Sequence, residues 1–186
     1  MTPPTSRRPR GAVVVALVLS ALTGCGYALA GRGSFLPEHI RTIGVPLLVN
    51  NTTAFDVEQS LTLRVREAFI SRGRYKVVPD STDADALLAG EILSINASPS
   101  GFDDQQRATR YVVLMVVRME FRDLRQDRIL WQNAALTFRE EYDLATAASG
   151  ASLGDVGTFF GSGSNALERM STDFAKTVVS SILEAF

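Results

Sequence analysis

The sequence predicts an α+β fold, a two-layer sandwich in which two helices cover one face of a mainly antiparallel sheet of four to five strands. Three observations carry this reading. Apolar residues recur with period two in Tyr111–Arg122 and again in Ile129–Tyr142, and the short segment Asp123–Arg128 joins the two as a hairpin. Apolar residues recur at helical spacing in two places, Val57–Phe69 and Leu167–Ile182. The resulting order is β-α-β-β-β-β-α, and its first β-α-β passage leaves room for one parallel pair with a right-handed crossover.

Ile40–Val49 reads as the first strand, with Ile43, Val45 and Leu47 alternating against Thr42, Gly44 and Pro46. Pro46 has no N–H to give a ladder, so that end of the strand belongs at an edge or a bulge. Asn50, Asn51, Thr52 and Thr53 form a turn of residues that bond their own backbone. Asp56 and Gln59 then have the spacing of a capping box. Val57, Leu61, Val65, Ala68 and Phe69 make the apolar stripe of the first helix; Arg64, Arg66 and Arg72 lie off it, and Gly73 stops it. Arg74–Pro79 is a short strand, and Leu87–Ala97 is the third.

In Tyr111–Arg122 one face is Tyr111, Val113, Met115, Val117, Met119 and Phe121, all core types. The other face begins apolar, with Val112, Leu114 and Val116, and ends charged, with Arg118, Glu120 and Arg122, the pattern of a part-covered surface. In Ile129–Tyr142, Leu130, Ala134, Leu136 and Phe138 point to the core. Leu144–Gly163 is rich in Ala, Ser and Gly and reads as a mobile loop. Asn165 and Glu168 start a last helix, whose buried stripe is Leu167, Met170, Phe174, Val178 and Ile182. Phe69, Met115, Phe121, Phe138, Phe174 and Ile182 are the expected shared core.

Ahead of this domain, Arg7, Arg8 and Arg10 precede an apolar run from Ala12 to Leu19 and then Leu22-Thr23-Gly24-Cys25. Basic, apolar and small-residue regions in that order make a secretory signal peptide, residues 1–24. The run is about half the ~20 residues that span a bilayer. Leu-Thr-Gly-Cys resembles the bacterial lipobox, which implies a diacylglycerol on Cys25 and cleavage before it. Gly26, in place of Asp, implies sorting to the outer membrane. Residues 25–39 are then a lipidated lead-in and 40–186 a single periplasmic domain. Two acyl chains give stable anchoring where one does not.

Cleavage leaves about 160 residues, enough for one core. It removes three of the 19 basic residues and none of the 20 acidic ones, so the mature charge is about −4 and binding of nucleic acid through bulk charge is disfavoured. Cys25 is the only cysteine, so no disulfide forms within the chain and packing carries the fold.

Catalysis and metal binding lack a constellation. His39 is the sole histidine and sits beside Pro37 and Glu38, where a solvated loop residue is the ordinary reading. Gly161, Gly163 and Ala166 fit G-x-G-x-x-A, but no strand leads in and no second strand follows, so this is a flexible loop opening a helix. Glu91 shares a strand face with Leu87, Ala89, Leu93 and Ile95. If that face were core it would need a donor such as Arg64 or Arg66; the favoured alternative buries Leu88, Gly90 and Ile92 and leaves Glu91 solvated. Arg118, Arg122, Arg125 and Arg128 around one hairpin could meet phosphate, yet Glu120, Asp123 and Asp127 interleave with them as in a salt-bridged turn.

Taken together, Cys25-Gly26-Tyr27-Ala28-Leu29-Ala30-Gly31, Leu36-Pro37, Ile43-Gly44-Val45-Pro46 with Asn50 and Thr52, Val57-Glu58, Leu61-Thr62, Gly73-Arg74-Tyr75 and Asp85 followed by Leu88-Ala89-Gly90-Glu91-Ile92 resemble the lipopolysaccharide-assembly lipoprotein family LptE. The likeness is close in the first half of the mature chain and rests on element order in the second. It implies a non-enzymatic lipoprotein on the periplasmic face of the outer membrane, without cofactor or metal. Such a protein plugs and helps assemble an LptD-like β-barrel translocon and contacts lipopolysaccharide on its way to the surface. Cys25 is the one site residue the resemblance carries over. The opening also resembles the periplasmic lipoproteins of curli-type secretion and of peptidoglycan-synthase activation, the alternative reading.

Overall fold

The computed structural model describes residues 36–143 and 165–186. The expected signal peptide 1–24, Cys25 with most of the expected lead-in, the segment 144–163 read as a loop and the Gly161–Gly163 motif lie outside the described residues. The elements are β1 (Thr42–Gly44), β2 (Val49–Asn50), α1 (Val57–Ser71), β3 (Lys76–Val78), β4 (Ala86–Phe102), β5 (Ala108–Asp123), β6 (Arg128–Asp143) and α2 (Asn165–Glu184). They build the expected α+β sandwich around a larger sheet, six-stranded and mixed, in the order β3-β1-β4-β5-β6 with β2 also on β4. β1 runs parallel to both β3 and β4, and β2 parallel to β4; β4, β5 and β6 are antiparallel.

The predicted first strand is split in two. At Val45 the chain leaves the ladder, because Pro46 cannot donate and its neighbours are satisfied elsewhere. The Val45 carbonyl accepts from both Nε and Nη2 of Arg66, at 2.9 and 2.7 Å. The Leu48 N–H donates to Thr62 Oγ1 at 3.1 Å. The Asn50 turn forms as read: its Oδ1 accepts from the Thr52 N–H and hydroxyl, and its Nδ2 donates to Ala54 and Glu58. The capping box does not form. Asp56 sits at φ 64° with no side-chain bond to a helix N–H, and Gln59 reaches only its carboxylate, at 3.3 Å. Gly73, at φ +69°, ends the helix as expected. In α2, Glu168 pairs with Arg64 of α1 at 2.8 Å.

Both helical stripes are buried. Phe69, Met115, Phe121, Phe174 and Ile182 are fully enclosed; Phe138 is half-buried and meets Phe174 edge-on, ring centroids 5.2 Å apart. Bulges in the strands flanking β5 decide several of their faces. One at Leu93 puts Ile95 on the core side, away from Glu91, where strict alternation places the two on one face. Another, at Ala134–Ala135, leaves Ala134 exposed and turns Trp131 inward opposite Phe121. β4 and β5 also run longer than predicted, out to a tip at Asp103–Arg107, where Asp103 accepts the N–H groups of Gln105 and Arg107.

Candidate interaction face

β5 lies between β4 and β6, so each residue on the face turned away from the two described helices has a neighbour on either side. In the apolar half, Val112, Leu114 and Val116 stand opposite Ser98, Asn96 and Ser94 of β4 and Glu141, Arg139 and Thr137 of β6. All three aliphatic side chains are half-buried, shielded by these neighbours, and no other element among the described residues is paired over them. A shallow cavity of about 300 Å³ opens here, floored by Val112 and Leu114 and edged by Asn96, Ser98, Pro99 and Arg139. An apolar floor with a small number of polar groups at its rim is the make-up of a recognition surface.

The charged half is self-neutralised. Arg118 pairs with Glu91 at 2.7 Å, and Asn51 bonds the same carboxylate. The solvated reading of Glu91 therefore holds, with Arg118 as its partner in place of Arg64 or Arg66. Arg122 lies between Asp127 at 2.8 Å and Glu120 at 3.0 Å, which raise its guanidinium above the ordinary range. Arg125 turns away to Asp85 at 2.6 Å. Of the four hairpin arginines, Arg128 alone makes no ion pair among the described residues. The cluster is a salt-bridged turn, each exposed pair worth little.

His39 corrects the sequence reading. It is three-quarters covered, and its Nε2 lies 2.7 Å from Oδ2 of Asp123, whose side chain is wholly buried. Oδ1 of Asp123 accepts the N–H groups of Arg125 and Gln126. Burial pushes this carboxyl up; the N–H of Gln126, His39 and the N–H of Arg125 outweigh it, and the net shift is downward. Asp85 repeats the pattern. Its Oδ2 accepts the N–H groups of Arg41 and Thr42, both at 2.9 Å, and the Arg41 bond is the largest cause of its lowered pKa. Sequence reasoning missed both carboxylates as a clamp on the entry segment, because His39 and Asp123 are 84 positions apart. No group of three or more metal-ligating side chains occurs among the described residues. No described helix is long and apolar enough to cross a membrane.

The family model of LptE, described as lipopolysaccharide-assembly, matches residues 40–182. A search of curated proteins gives no match. Among solved structures, the hypothetical protein CT253 of Chlamydia trachomatis superposes with a TM-score of 0.51 at 11% identity, over 78% of this chain and 97% of that one. The PelC dodecamer of Paraburkholderia phytofirmans gives 0.49 at 17%, over 80% and 92%. Rare lipoprotein B of Shewanella oneidensis gives 0.43 at 14%, over 78% and 92%. At 11% identity the first of these speaks to the fold alone. The family match spans most of the chain and both layers of the sandwich, so the chain belongs to the LptE family, with a role in lipopolysaccharide assembly.

Proposed function

We propose that this protein is an outer-membrane lipoprotein, held by diacylglycerol on Cys25, that seats its sheet within an LptD-like β-barrel as plug and assembly partner while lipopolysaccharide passes. The observation that carries this is the outward face of β5, where Val112, Leu114 and Val116 form a half-covered apolar strip inside a framed, polar-edged surface. A barrel lumen would finish covering that strip. Contact there works chiefly by shape and burial, since Arg118 and Arg122 on the same face of β5 are already neutralised by carboxylates of the chain and only Arg139 stands at the rim of the strip. The reading includes no catalytic step.

Affinity purification of the tagged full-length protein from outer membranes tests it. The expected companion is a β-barrel of the translocon, with depletion of the protein blocking lipopolysaccharide export. Recovery of a secretion pore or a peptidoglycan synthase would replace this reading with the alternative. Mass spectrometry of the same sample should find Cys25 acylated and N-terminal, and Cys25→Ala should free a folded protein from the membrane.

A further inference from the structure

We propose that Arg139 receives a carboxylate of the partner that covers the β5 strip, carried on an extended segment with an apolar side chain two positions from the acid. The inference deepens the plug reading of the preceding section and rests on it. Three observations lead to it.

First, a positive charge is left over beside the strip. The charged side chains described on the apolar half of this face are Arg110, Arg139 and Glu141. Glu141 is taken: Arg110 donates to it at 3.2 Å and the Ser100 hydroxyl at 3.5 Å. Beyond the strip, Glu91 holds Arg118, while Glu120 and Asp127 hold Arg122. Arg139 is exposed and makes no ion pair or side-chain hydrogen bond among the described residues.

Second, the free guanidinium stands beside an apolar floor. Arg139 is the cross-strand neighbour of Leu114 and edges the cavity of about 300 Å³ that Val112 and Leu114 floor. On the opposite edge, the side chains of Asn96 and Ser98 are exposed and equally without a hydrogen bond among the described residues. An extended segment turns residues two apart to the same side. One of the pair can then meet the guanidinium while the other covers the floor, and the Asn96 amide and Ser98 hydroxyl remain for its backbone.

Third, the charge count fits a carboxylate better than a phosphate. A phosphate group carries up to two negative charges and calls for more than one cation. Here one cation is free, and Glu141 follows two residues along the same face. A single arginine fork matches a single carboxylate through two parallel hydrogen bonds.

The tagged full-length protein, purified with its barrel from outer membranes, provides the test. Lys76 and Lys176 are the only lysines of the chain, so Arg139→Lys places a new amine at the site with little background. A carbodiimide, which condenses an amine with a carboxylate in contact with it, should link residue 139 to an Asp or Glu of the barrel. The linked peptide should carry an apolar residue two positions from that acid. Arg139→Glu should lower barrel recovery several-fold and Arg139→Gln by less, with the urea midpoint of both unchanged. Should Arg139→Glu fail to fold, Arg139→Gln carries the recovery test. Undiminished recovery, or linkage of residue 139 to Glu141 alone, overturns the inference and leaves the plug reading standing. Loss of co-purifying lipopolysaccharide with the barrel retained also overturns it, because the group received would then be a phosphate. Absence of a barrel from the wild-type sample overturns the plug reading itself, and this inference with it.

Discussion

The two faces of β5 are made of similar residues and differ in what completes them. Toward the helices, Val113, Met115, Val117, Met119 and Phe121 are all enclosed in the core that the sheet shares with both helices. On the other side Val112, Leu114 and Val116 reach only half-burial between two flanking strands. Aliphatic surface is worth about 25 cal/mol per Å² once removed from water. The inner face has already drawn that stabilisation from the chain's own fold. The outer face still holds it in reserve, which is what an interface surface requires.

The largest effect expected within this contrast lies on the inner face. Truncation of Phe121 or Phe174 to Ala should cost roughly 3–5 kcal/mol, read as a shift in the urea midpoint, because each leaves a cavity inside a closed core. A loss near that of an exposed residue would mean that the inner face is not the closed one.

A smaller effect belongs to the carboxylate clamp that ties the entry segment to the sheet end. Asp123→Asn leaves the Arg125 and Gln126 N–H groups and His39 with a poorer acceptor, at a cost of about 1–3 kcal/mol at neutral pH. The sign with pH follows from the direction of the shifts. Asp123 and Asp85 both titrate below the usual carboxylate value in the folded protein, so their contribution is complete above about pH 4, the unfolded value, and is lost as pH falls through the folded one. Chemical denaturation at stepped pH should therefore show wild type and Asp123→Asn converging below pH 4 or so. A gap that persists in acid would remove the charge from the explanation.

How far the sequence revealed these regions depends on the range of the interactions that made them. The two stripes of α1 and α2 and both faces of β5 were legible, since each is a local period matched to one packing surface. The bulges at Leu93 and Ala134–Ala135 were not; each is set by register with a neighbouring strand, and one extra residue reverses every face beyond it. The break at Val45 was half legible. Pro46 announced it, but the guanidinium of Arg66 that caps the freed carbonyl comes from a helix 21 residues on. The Asp56–Gln59 spacing promised a cap that the left-handed backbone at Asp56 denies it. For the candidate face, the apolar-to-charged switch in Tyr111–Arg122 was plain, while the pairing of Arg118 with Glu91 needed the β4–β5 register.

The smallest expected effect on stability is also the most telling for the comparison. Leu114→Glu places a carboxylate on the outer strip next to Arg139, its cross-strand neighbour, where water and a cation can both receive it. The isolated domain should lose no more than about 1 kcal/mol, in line with surface substitutions. Barrel recovery from outer membranes should fall steeply, because an added carboxylate at the centre of a dry contact, even beside Arg139, must give up its water. Leu63→Glu on the solvent side of α1, where Leu63 is 53% exposed, is the matched control and should spare both stability and recovery. If Leu114→Glu unfolds the domain, the outer face is ordinary core that the chain itself covers, and the asymmetry of β5 has no bearing on a partner. If it folds and still recovers the barrel, the interface lies elsewhere on the sandwich. Only a folded variant that loses its partner separates the two faces in the way their burial implies.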